Sequence, residues 1–274
     1  MGGVLYLVGT PIGNLADLSD RARETLAAVD LVAAEDTRRT GRLLKGIGVH
    51  KPLRSMFAGN EDRRAAEILE RLEAGESVAV VTDGGMPSVS DPGYRVVQMA
   101  VDRGIDVRVV PGPSAAIAAL VVSGLPTDRF VFEGFLPRPA GDRGRRLGAL
   151  RDDPRTLVLF ESPRRVQSLL REVLTTLGDR RVAVCRELTK LHEEIVRGGA
   201  AEVLARLEEV ELKGEVVVVI EGRRDPDAMD MASLLSEVRG LVGEGMRTRD
   251  AARAVAKRHG ASANALYRAV ISEE

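Results

Sequence analysis

Three segments rich in glycine and proline each follow a predicted strand and could bind a ligand through main-chain groups. They are GTPIGNL at residues 9–15, DGGMPSVSDPG at residues 83–93 and VPGPSA at residues 110–115. Glycine lets a backbone approach a ligand closely, and open α/β sheets bind ligands beyond the carboxyl ends of their strands. The long second segment suits an adenosine or amino-acid moiety, with Asp83 accepting from a hydroxyl or ammonium group.

Each segment also has a purely structural interpretation. The first would be a tight connection, the second a turn in which Asp83 caps the backbone, and the third a proline-rich corner. The first segment lacks the spacing of a dinucleotide fingerprint and the Gly-Lys-Ser/Thr ending of a nucleoside triphosphate loop. We expect the three segments to converge on one edge of a sheet, and this convergence favours a shared ligand site.

The elements that position these segments alternate between β-branched runs and helical patterns, which predicts an α/β architecture with a largely parallel sheet. Asp91 and Pro92 have the residue types of an N-cap and a first helical position, so a helix should open there. The Ala-rich run at residues 115–122 predicts a buried helix. A second α/β unit begins near residue 125, and a helical tail follows residue 222. The predicted domains are therefore 1–125, 126–222 and 223–274.

Composition excludes several classes of protein. The chain has 274 residues, of which 44% are hydrophobic and 30% charged, so it is neither disordered nor of low complexity. One cysteine, Cys185, forms no internal disulfide, and we expect it to be a small core residue. No His/Cys/Asp spacing predicts a metal site. No apolar run approaches the roughly 18 residues needed to cross a bilayer, which predicts a soluble cytoplasmic protein without a membrane partner.

Six motifs in order resemble those of the RsmI family of 16S rRNA cytidine-2′-O-methyltransferases. They are LYLVGTPIGNL at residues 5–15, AEDTR at 34–38, the segment at 82–93, PGPSA at 111–115, FESPRR at 160–165 and RELTK at 186–190. The resemblance runs from Leu5 to about Gly222. It implies a two-domain tetrapyrrole-methylase-like (class III methyltransferase) fold, here with a small helical C-terminal module.

The resemblance also implies S-adenosylmethionine in a cleft between two α/β domains, within a homodimer. Matching positions to the family pattern assigns cofactor contacts to ten residues: Pro11, Ile12, Asp83, Gly84, Met86, Ser114, Ala115, Phe160, Glu161 and Leu188. The implied reaction is methylation of a cytidine ribose in 16S rRNA of the small ribosomal subunit, in the decoding region.

A ribose 2′-hydroxyl is a poor nucleophile, so its attack needs in-line positioning and help in removing its proton. We hypothesise that Glu35 or Glu187 assists proton removal. Three cations in the same motifs would hold RNA phosphate: Arg38, Arg186 and Lys190. The alternative for each of these residues is an internal ion pair that holds a loop in place.

Charge is locally uneven although the formal net charge is −1. Residues 38–64 contain eight Lys/Arg against two acidic residues, and residues 138–165 contain eight against four. In the tail, residues 246–268 contain six against one. The tail pattern predicts helices at 248–258 and 262–270, a helix-turn-helix-like arrangement. Its interpretations are an RNA-binding helper surface or a packing and dimer-stabilising module.

Two other functions remain open from the residues alone. One is a class III methyltransferase that acts on a tetrapyrrole or other small molecule. The other is a ligand-sensing regulator that binds nucleic acid and transfers no methyl group. The Arg-rich segments, the EDTR motif at residues 35–38 and the helical tail favour the RNA methyltransferase over the first.

Overall fold

The computed structural model describes residues 2–208, 212–223, 231–259 and 261–272. Contacts within the chain divide it into two compact units, Met1–Gly222 and Arg223–Glu274. The first unit contains two five-stranded sheets, each with helices packed against it. Of the helices in the described ranges, none has both the length and the apolar character that a membrane span requires.

The first sheet is entirely parallel, with the strand order β3-β2-β4-β1-β5. Its strands are β1 (Val4–Val8), β2 (Leu31–Ala34), β3 (Leu53–Ser55), β4 (Val78–Val81) and β5 (Asp106–Val110). Helices α1 (Asp20–Ala28) and α2 (Thr37–Gly46) share one core with it, and α3 (Glu61–Glu73) and α4 (Tyr94–Asp102) share another. Every residue of β2 and β4 is buried, as expected of strands covered on both faces.

The second sheet is mixed, with the order β6-β7-β10-β8-β9. Its strands are β6 (Phe130–Phe135), β7 (Thr156–Glu161), β8 (Arg181–Arg186), β9 (Glu194–Gly199) and β10 (Val216–Ile220). Its helices are α6 (Ala140–Ala149), α7 (Val166–Thr176) and α8 (Ala200–Glu208). The prediction of a largely parallel sheet is therefore confirmed for the first sheet and wrong for the second. Only β6 and β7 pair in parallel, since β10 lies antiparallel between β7 and β8, and the short β8–β9 connection forms a hairpin.

Helix α5 (Ala115–Ser123) follows the last strand of the first sheet but packs on the second sheet. Ala119 and Leu120 lie against Val158, Ala183 and Val217, and small residues allow the helix to approach the strands closely. The prediction that this helix is buried is only half correct, because Ile117 and Val121 are 45% and 64% exposed. Those two residues lie four apart and therefore share the outer face of the helix.

The segment after β4 departs from its predicted structure. The next helix begins at Tyr94 with Gly93 as its N-cap, so the prediction that Asp91 caps it is wrong. Ser88 and Ser90 adopt left-handed φ values of 71° and 65°, and Gly93 has φ of 137°. The Ser88 amide donates to the Pro92 carbonyl at 3.2 Å, so the chain turns once more before the helix starts.

The described part of the second unit contains three helices, α9 (Met231–Gly243), α10 (Thr248–His259) and α11 (Ala263–Ser272). They share a small apolar core that includes Val238, Ala252, Val255 and Leu266. The two predicted tail helices are confirmed to within two residues at each end. The linker predicted at residues 225–227 lies outside the described residues.

Candidate active site

The three glycine- and proline-rich segments do converge at the carboxyl edge of the first sheet. The Gly9 amide donates to the Val110 carbonyl at 2.9 Å. Thr10 and Gly85 exchange two backbone hydrogen bonds of 2.9 and 3.0 Å. The first segment therefore lies between the second and the third, and the three form one continuous surface.

Two glycines make this convergence possible. A Cβ atom on Gly9 would lie 2.6 Å from the Cα and amide nitrogen of Gly112, and a Cβ on Gly112 would lie 2.8 Å from the Cα and carbonyl carbon of Gly9. Both contacts are to backbone, which cannot rotate away as a flexible side chain can. At this point the first and third segments touch without room for any side chain between them.

A cleft of about 790 Å³ opens over this surface and extends to the second sheet. This volume is within the range of ligand and cofactor sites. Ten of the residues predicted to be functional line it: Pro11, Ile12, Glu35, Asp83, Gly84, Ala115, Phe160, Glu161, Leu188 and Lys190. Five others do not: Arg38, Met86, Ser114, Arg186 and Glu187.

Met86 and Ser114 lie behind the lining residues. The Met86 sulfur lies beside Gly9, 2.7 Å from where a Cβ on that glycine would be. The Ser114 side chain accepts from the Ile117 amide at 3.5 Å and caps α5. In this structure both residues position the segments that form the wall.

The three cations predicted to hold phosphate all have acidic partners. Arg38 pairs with Asp36 at 2.7 Å, and Arg186 pairs with Glu194 at 2.9 Å. The hydrogen bond from Arg38 holds the pKa of Asp36 well below its ordinary range. The alternative of internal ion pairing is therefore present at these positions, although the Arg38 side chain remains 87% exposed.

Lys190 bridges two carboxylates, Glu187 at 2.8 Å and Glu215 at 3.1 Å. Glu187 also accepts from the Glu215 amide at 2.9 Å, and its own backbone is left-handed with φ of 51°. The hydrogen bond from Lys190 lowers the Glu187 pKa. This network holds the β8–β9 loop against the residues before β10. The Glu187 carboxylate therefore has a structural role in this loop.

One end of the cleft is acidic. Glu35, Asp83 and Asp91 line it around Thr82, whose hydroxyl donates to Glu35 at 2.8 Å. Asp83 accepts from the Asp36 amide at 3.1 Å and lies 3.4 Å from Arg39. Burial is the main cause that raises the pKa of Asp83, followed by the charge of Glu35. Burial likewise raises the pKa of Asp91 to about 6.

The opposite wall is apolar and aromatic. Phe160 meets Phe132 and Phe135 edge to face, with ring centroids 4.9 and 5.5 Å apart. Ile12 and Leu188 extend this wall from the first segment and from the β8–β9 loop. The Glu161 carboxylate is only 1% exposed and pairs with Arg165 at 2.9 Å, so it stabilises the turn after β7.

Cys185 lies beneath the cleft with no exposed surface, which confirms the prediction of a core residue. Burial raises the pKa of its thiol to about 12, so at neutral pH the sulfur carries a proton and is a poor nucleophile. In the part of the chain that the structure describes, no group of three His, Cys, Asp or Glu side chains could hold a metal ion.

The sequence interpretation missed Asp91, Arg39 and Phe135 among the residues of the cleft. Asp91 was predicted to cap a helix, and the residue types do not distinguish Arg39 from its neighbour Arg38. Arg39 lies one residue further along α2, and its guanidinium lies 3.4 Å from Asp83 although its side chain is 54% exposed. The direction of Asp91 depends on the positive φ values at Ser88 and Ser90. The residue types of this segment do not predict those values.

The chain matches known proteins over most of its length. The family model for tetrapyrrole (corrin/porphyrin) methylases matches residues 4–204. A ribosomal RNA small subunit methyltransferase I from Thermotoga maritima is 49% identical over 81% of this chain and 99% of its own. Proteins of the same name from Xylella fastidiosa and Escherichia coli O157:H7 are 44% and 42% identical over 97% and 99% of this chain, and these matches cover 98% and 96% of the relatives.

Solved structures with low sequence identity share the fold. The methyltransferase CobJ has a TM-score of 0.61 at 18% identity and covers 82% of this chain and 97% of its own. A uroporphyrin-III-C-methyltransferase from Thermus thermophilus has a TM-score of 0.59 at 22% identity, over 80% of this chain and 94% of its own. The chain therefore belongs to the tetrapyrrole methylase family, and within it to the RsmI family of methyltransferases.

Proposed function

We propose that this enzyme methylates the ribose 2′-oxygen of a cytidine in 16S rRNA of the small ribosomal subunit, in the decoding region. The observation that carries the proposal is a cleft with an acidic end and an aromatic wall, formed where three converging segments face the second sheet. The near full-length similarity of this chain to ribosomal RNA small subunit methyltransferases supports RNA as the methyl acceptor. A ribosomal substrate also supports action in the cytoplasm.

S-adenosylmethionine is the methyl donor of this family. The residues of the cleft fit it, because carboxylates suit its positive sulfonium and ammonium groups and the aromatic wall suits its adenine. When bound, it supplies a methyl group on a positively charged sulfur. We assign its binding to the lining residues Pro11, Ile12, Asp83, Gly84, Ala115, Phe160, Glu161 and Leu188, supported from behind by Met86 and Ser114.

A cationic face beside the cleft supports an RNA substrate. Helix α2 begins at the acidic end, and its Arg39 lines the cleft. Arg38, Arg42 and Lys45 lie on α2 at intervals of four and three residues, so they share one side of the helix, and all three are exposed. Arg42 and Lys45 form no ion pair within the described ranges, which leaves their charges free for phosphate.

We expect the double substitution Arg42→Ala and Lys45→Ala to weaken binding to small subunits and to reduce its salt dependence. Each phosphate contact contributes roughly 0.7–0.9 to the slope of log K against log salt, so the slope should fall by about 1.5. Filter binding at salt concentrations from about 50 to 300 mM measures both the affinity for small subunits and the slope with salt. Arg206→Ala, an exposed cation on α8, is the matched control and should leave the slope unchanged. An unchanged slope in the double variant would show that α2 does not contact RNA.

The helical tail presents a second cationic row. Arg249, Arg253 and Lys257 lie at intervals of four on α10, and all are exposed. By contrast, Arg258 and His259 on the same helix both pair with Glu237 of α9 and so stabilise the unit itself. The exposed row of three cations, separate from the residues that stabilise the unit, supports the interpretation of the tail as a helper surface for RNA.

A homodimer is part of the proposal. Ile117 and Val121 expose one apolar face of α5, and Val109 on the edge strand β5 is 58% exposed. Large exposed apolar side chains near an unpaired strand edge are typical of a surface that a partner covers. A second copy of this chain is the partner that the family resemblance implies.

The test is methyl transfer to small subunits from a strain that lacks this enzyme. We expect label from methyl-labelled donor to enter 16S rRNA in the subunit, and digestion to nucleosides should recover it as 2′-O-methylcytidine. Label on a cytosine base would contradict the ribose assignment. Label on a tetrapyrrole acceptor and none on RNA would favour the small-molecule alternative instead.

A further inference from the structure

Phe57 presents an exposed aromatic ring beside the cleft. It follows β3 in the chain and is 47% exposed. Strand β3 pairs in parallel with β2, and the Met56 amide donates to the Ala34 carbonyl at 2.8 Å. Glu35, the residue after Ala34, lines the cleft. Neighbouring strands lie roughly 5 Å apart, so the loop that carries Phe57 begins one strand away from the cleft.

This loop holds the ring in a fixed place. The Asn60 side-chain oxygen accepts from the Phe57 amide at 2.8 Å, and the Asn60 amide donates to the Phe57 carbonyl at 2.9 Å. The Asn60 side chain also donates to the Ser55 carbonyl at 3.2 Å. The ring lies over Gly59, since a Cβ atom there would be 2.8 Å from its Cε2 atom. A large apolar side chain that is exposed and already fixed loses little conformational entropy when a partner packs on it.

The ring belongs to a cationic part of the chain. Phe57 is the only Phe, Tyr or Trp in residues 38–64, which contain eight Lys/Arg against two acidic residues. Both acidic residues have partners at α4, because Glu61 accepts from the Arg95 amide at 3.1 Å and Asp62 pairs with the Arg95 side chain at 2.9 Å. The segment around the ring therefore presents mainly positive charge to solvent.

Exposed cations lie on both sides of the ring in the chain. Arg54 of β3 and Arg63 of α3 are exposed, and neither forms an ion pair with another residue that the structure describes. Helix α2, with its own exposed cations, packs beside β3, where a Cβ atom on Gly41 would lie 3.6 Å from Leu53. Proteins that bind single-stranded nucleic acid combine these two features, because cations hold the phosphates while aromatic rings stack on the bases.

We propose that Phe57 is a stacking platform for an unpaired base of the 16S rRNA that neighbours the methylated cytidine; this rests on the proposed function. The base is a neighbour of the target because the ring is outside the lining of the cleft. An RNA base that leaves its helical stack can stack on an aromatic side chain instead. Stacking on Phe57 fixes the position of the strand, so that the target ribose enters the cleft. Phe57 is thus a positioning residue and takes no part in bond making.

The first test is steady-state methyl transfer to small subunits. Phe57→Ala should raise the KM for subunits about 10- to 100-fold, which is the range of one lost base stack. The variant should keep kcat and the Kd for the methyl donor within about 3-fold of the wild type, because the ring contacts neither the donor nor the reacting atoms. Phe57→Tyr keeps an aromatic face and should retain the wild-type KM. Phe57→Leu keeps only an apolar side chain and should behave as Phe57→Ala.

Phe130→Ala is the matched control for this test. Phe130 is 37% exposed and begins β6, whereas Phe135 at the other end of the same strand lines the cleft. Phe130 is therefore an exposed ring on the edge of the second sheet away from the cleft, and its loss should leave the KM unchanged. An equal rise of the KM in both alanine variants would overturn the assignment, because the effect would not depend on the position of the ring.

The second test needs no methyl transfer. The chain contains no tryptophan, so Phe57→Trp creates a protein whose tryptophan fluorescence reports this position alone. Stacking tolerates any base, so oligocytidylate of about eight nucleotides at about 50 mM salt should quench the emission. Inorganic polyphosphate of equal charge has no bases and should leave the emission unchanged. Phe130→Trp is the matched control and should respond to neither probe.

The outcomes separate this proposal from the proposed function. If the wild type methylates the ribose and Phe57→Ala has the wild-type KM, only the role of Phe57 is overturned. Equal quenching by polyphosphate and oligocytidylate, or none by either, would also overturn it. A change in the solution mass of Phe57→Ala, measured by sedimentation, would assign the ring to a contact between subunits instead. If the wild type transfers no methyl group to subunits, the proposed function fails, and the role of Phe57 fails with it.

Discussion

Replacing Gly112 by alanine should abolish binding of S-adenosylmethionine, with a Kd at least about 100-fold higher by titration calorimetry, which is a loss of roughly 2.7 kcal/mol. The added Cβ would lie 2.8 Å from the Cα and carbonyl carbon of Gly9. Since both atoms are backbone, relief requires the first and third segments to separate. The Thr10–Gly85 bridge joins the first segment to the second, so this separation would displace the wall that carries Pro11, Ile12 and Asp83.

Gly141→Ala is the matched control for this substitution. Gly141 lies in α6, and a Cβ on it would meet nothing within 4 Å. Neither glycine has a positive φ, so both substitutions add the same methyl group to an ordinary backbone and differ only in what it contacts. The control should bind the donor as the wild type does. Wild-type affinity in Gly112→Ala would show that the two segments can move apart without consequence for the site.

Removing the guanidinium of Arg143 should cause a large loss of stability, because its ion pair joins two helices of the second sheet and is largely buried. Arg143 on α6 is only 8% exposed, and its Nε donates to Glu172 on α7 at 2.6 Å, with a second hydrogen bond to the other carboxylate oxygen. Arg143→Ala leaves Glu172 partly buried without its partner and also removes the packing of the long side chain. We expect the free energy of unfolding to fall by about 2–4 kcal/mol in urea denaturation followed by circular dichroism.

Arg145→Ala on the same helix is the comparison. Arg145 pairs with Asp142, but its side chain is 82% exposed, so solvent screens the pair. Its loss should change the free energy of unfolding by less than about 0.5 kcal/mol. Equal losses in the two variants would mean that burial does not strengthen the α6–α7 pair.

The sequence predicted the three glycine- and proline-rich segments and their convergence, because the signal for them is local. Glycine and proline after β-branched runs marked all three segments, and parallel strands in one sheet must end at a common edge, so their convergence followed. The hydrophobic period of residues 61–74 places Ala65, Ile68, Leu69 and Leu72 on one face of a helix, and all four are buried in α3. These inferences needed only the conformational preferences of residues and the spacing of apolar positions within one element.

The prediction of function also depended in part on local signals in the sequence. Six short motifs in a fixed order were enough to indicate the family, since each motif is a continuous stretch of chain. Which side chains of a motif face the ligand is a different question. In RELTK at residues 186–190, Leu188 and Lys190 line the cleft, whereas Arg186 and Glu187 are not in its lining and form ion pairs.

What the sequence by itself determined is the set of elements, the three glycine- and proline-rich segments and the class of chemistry. Only the tertiary structure decided that β10 lies antiparallel between β7 and β8, and that α5 packs on the second sheet. It also decided that Asp91 faces the cleft instead of capping a helix. The physical reason is that these outcomes depend on contacts between residues far apart in the chain, whereas residue types and their spacing report the preferences of one segment at a time.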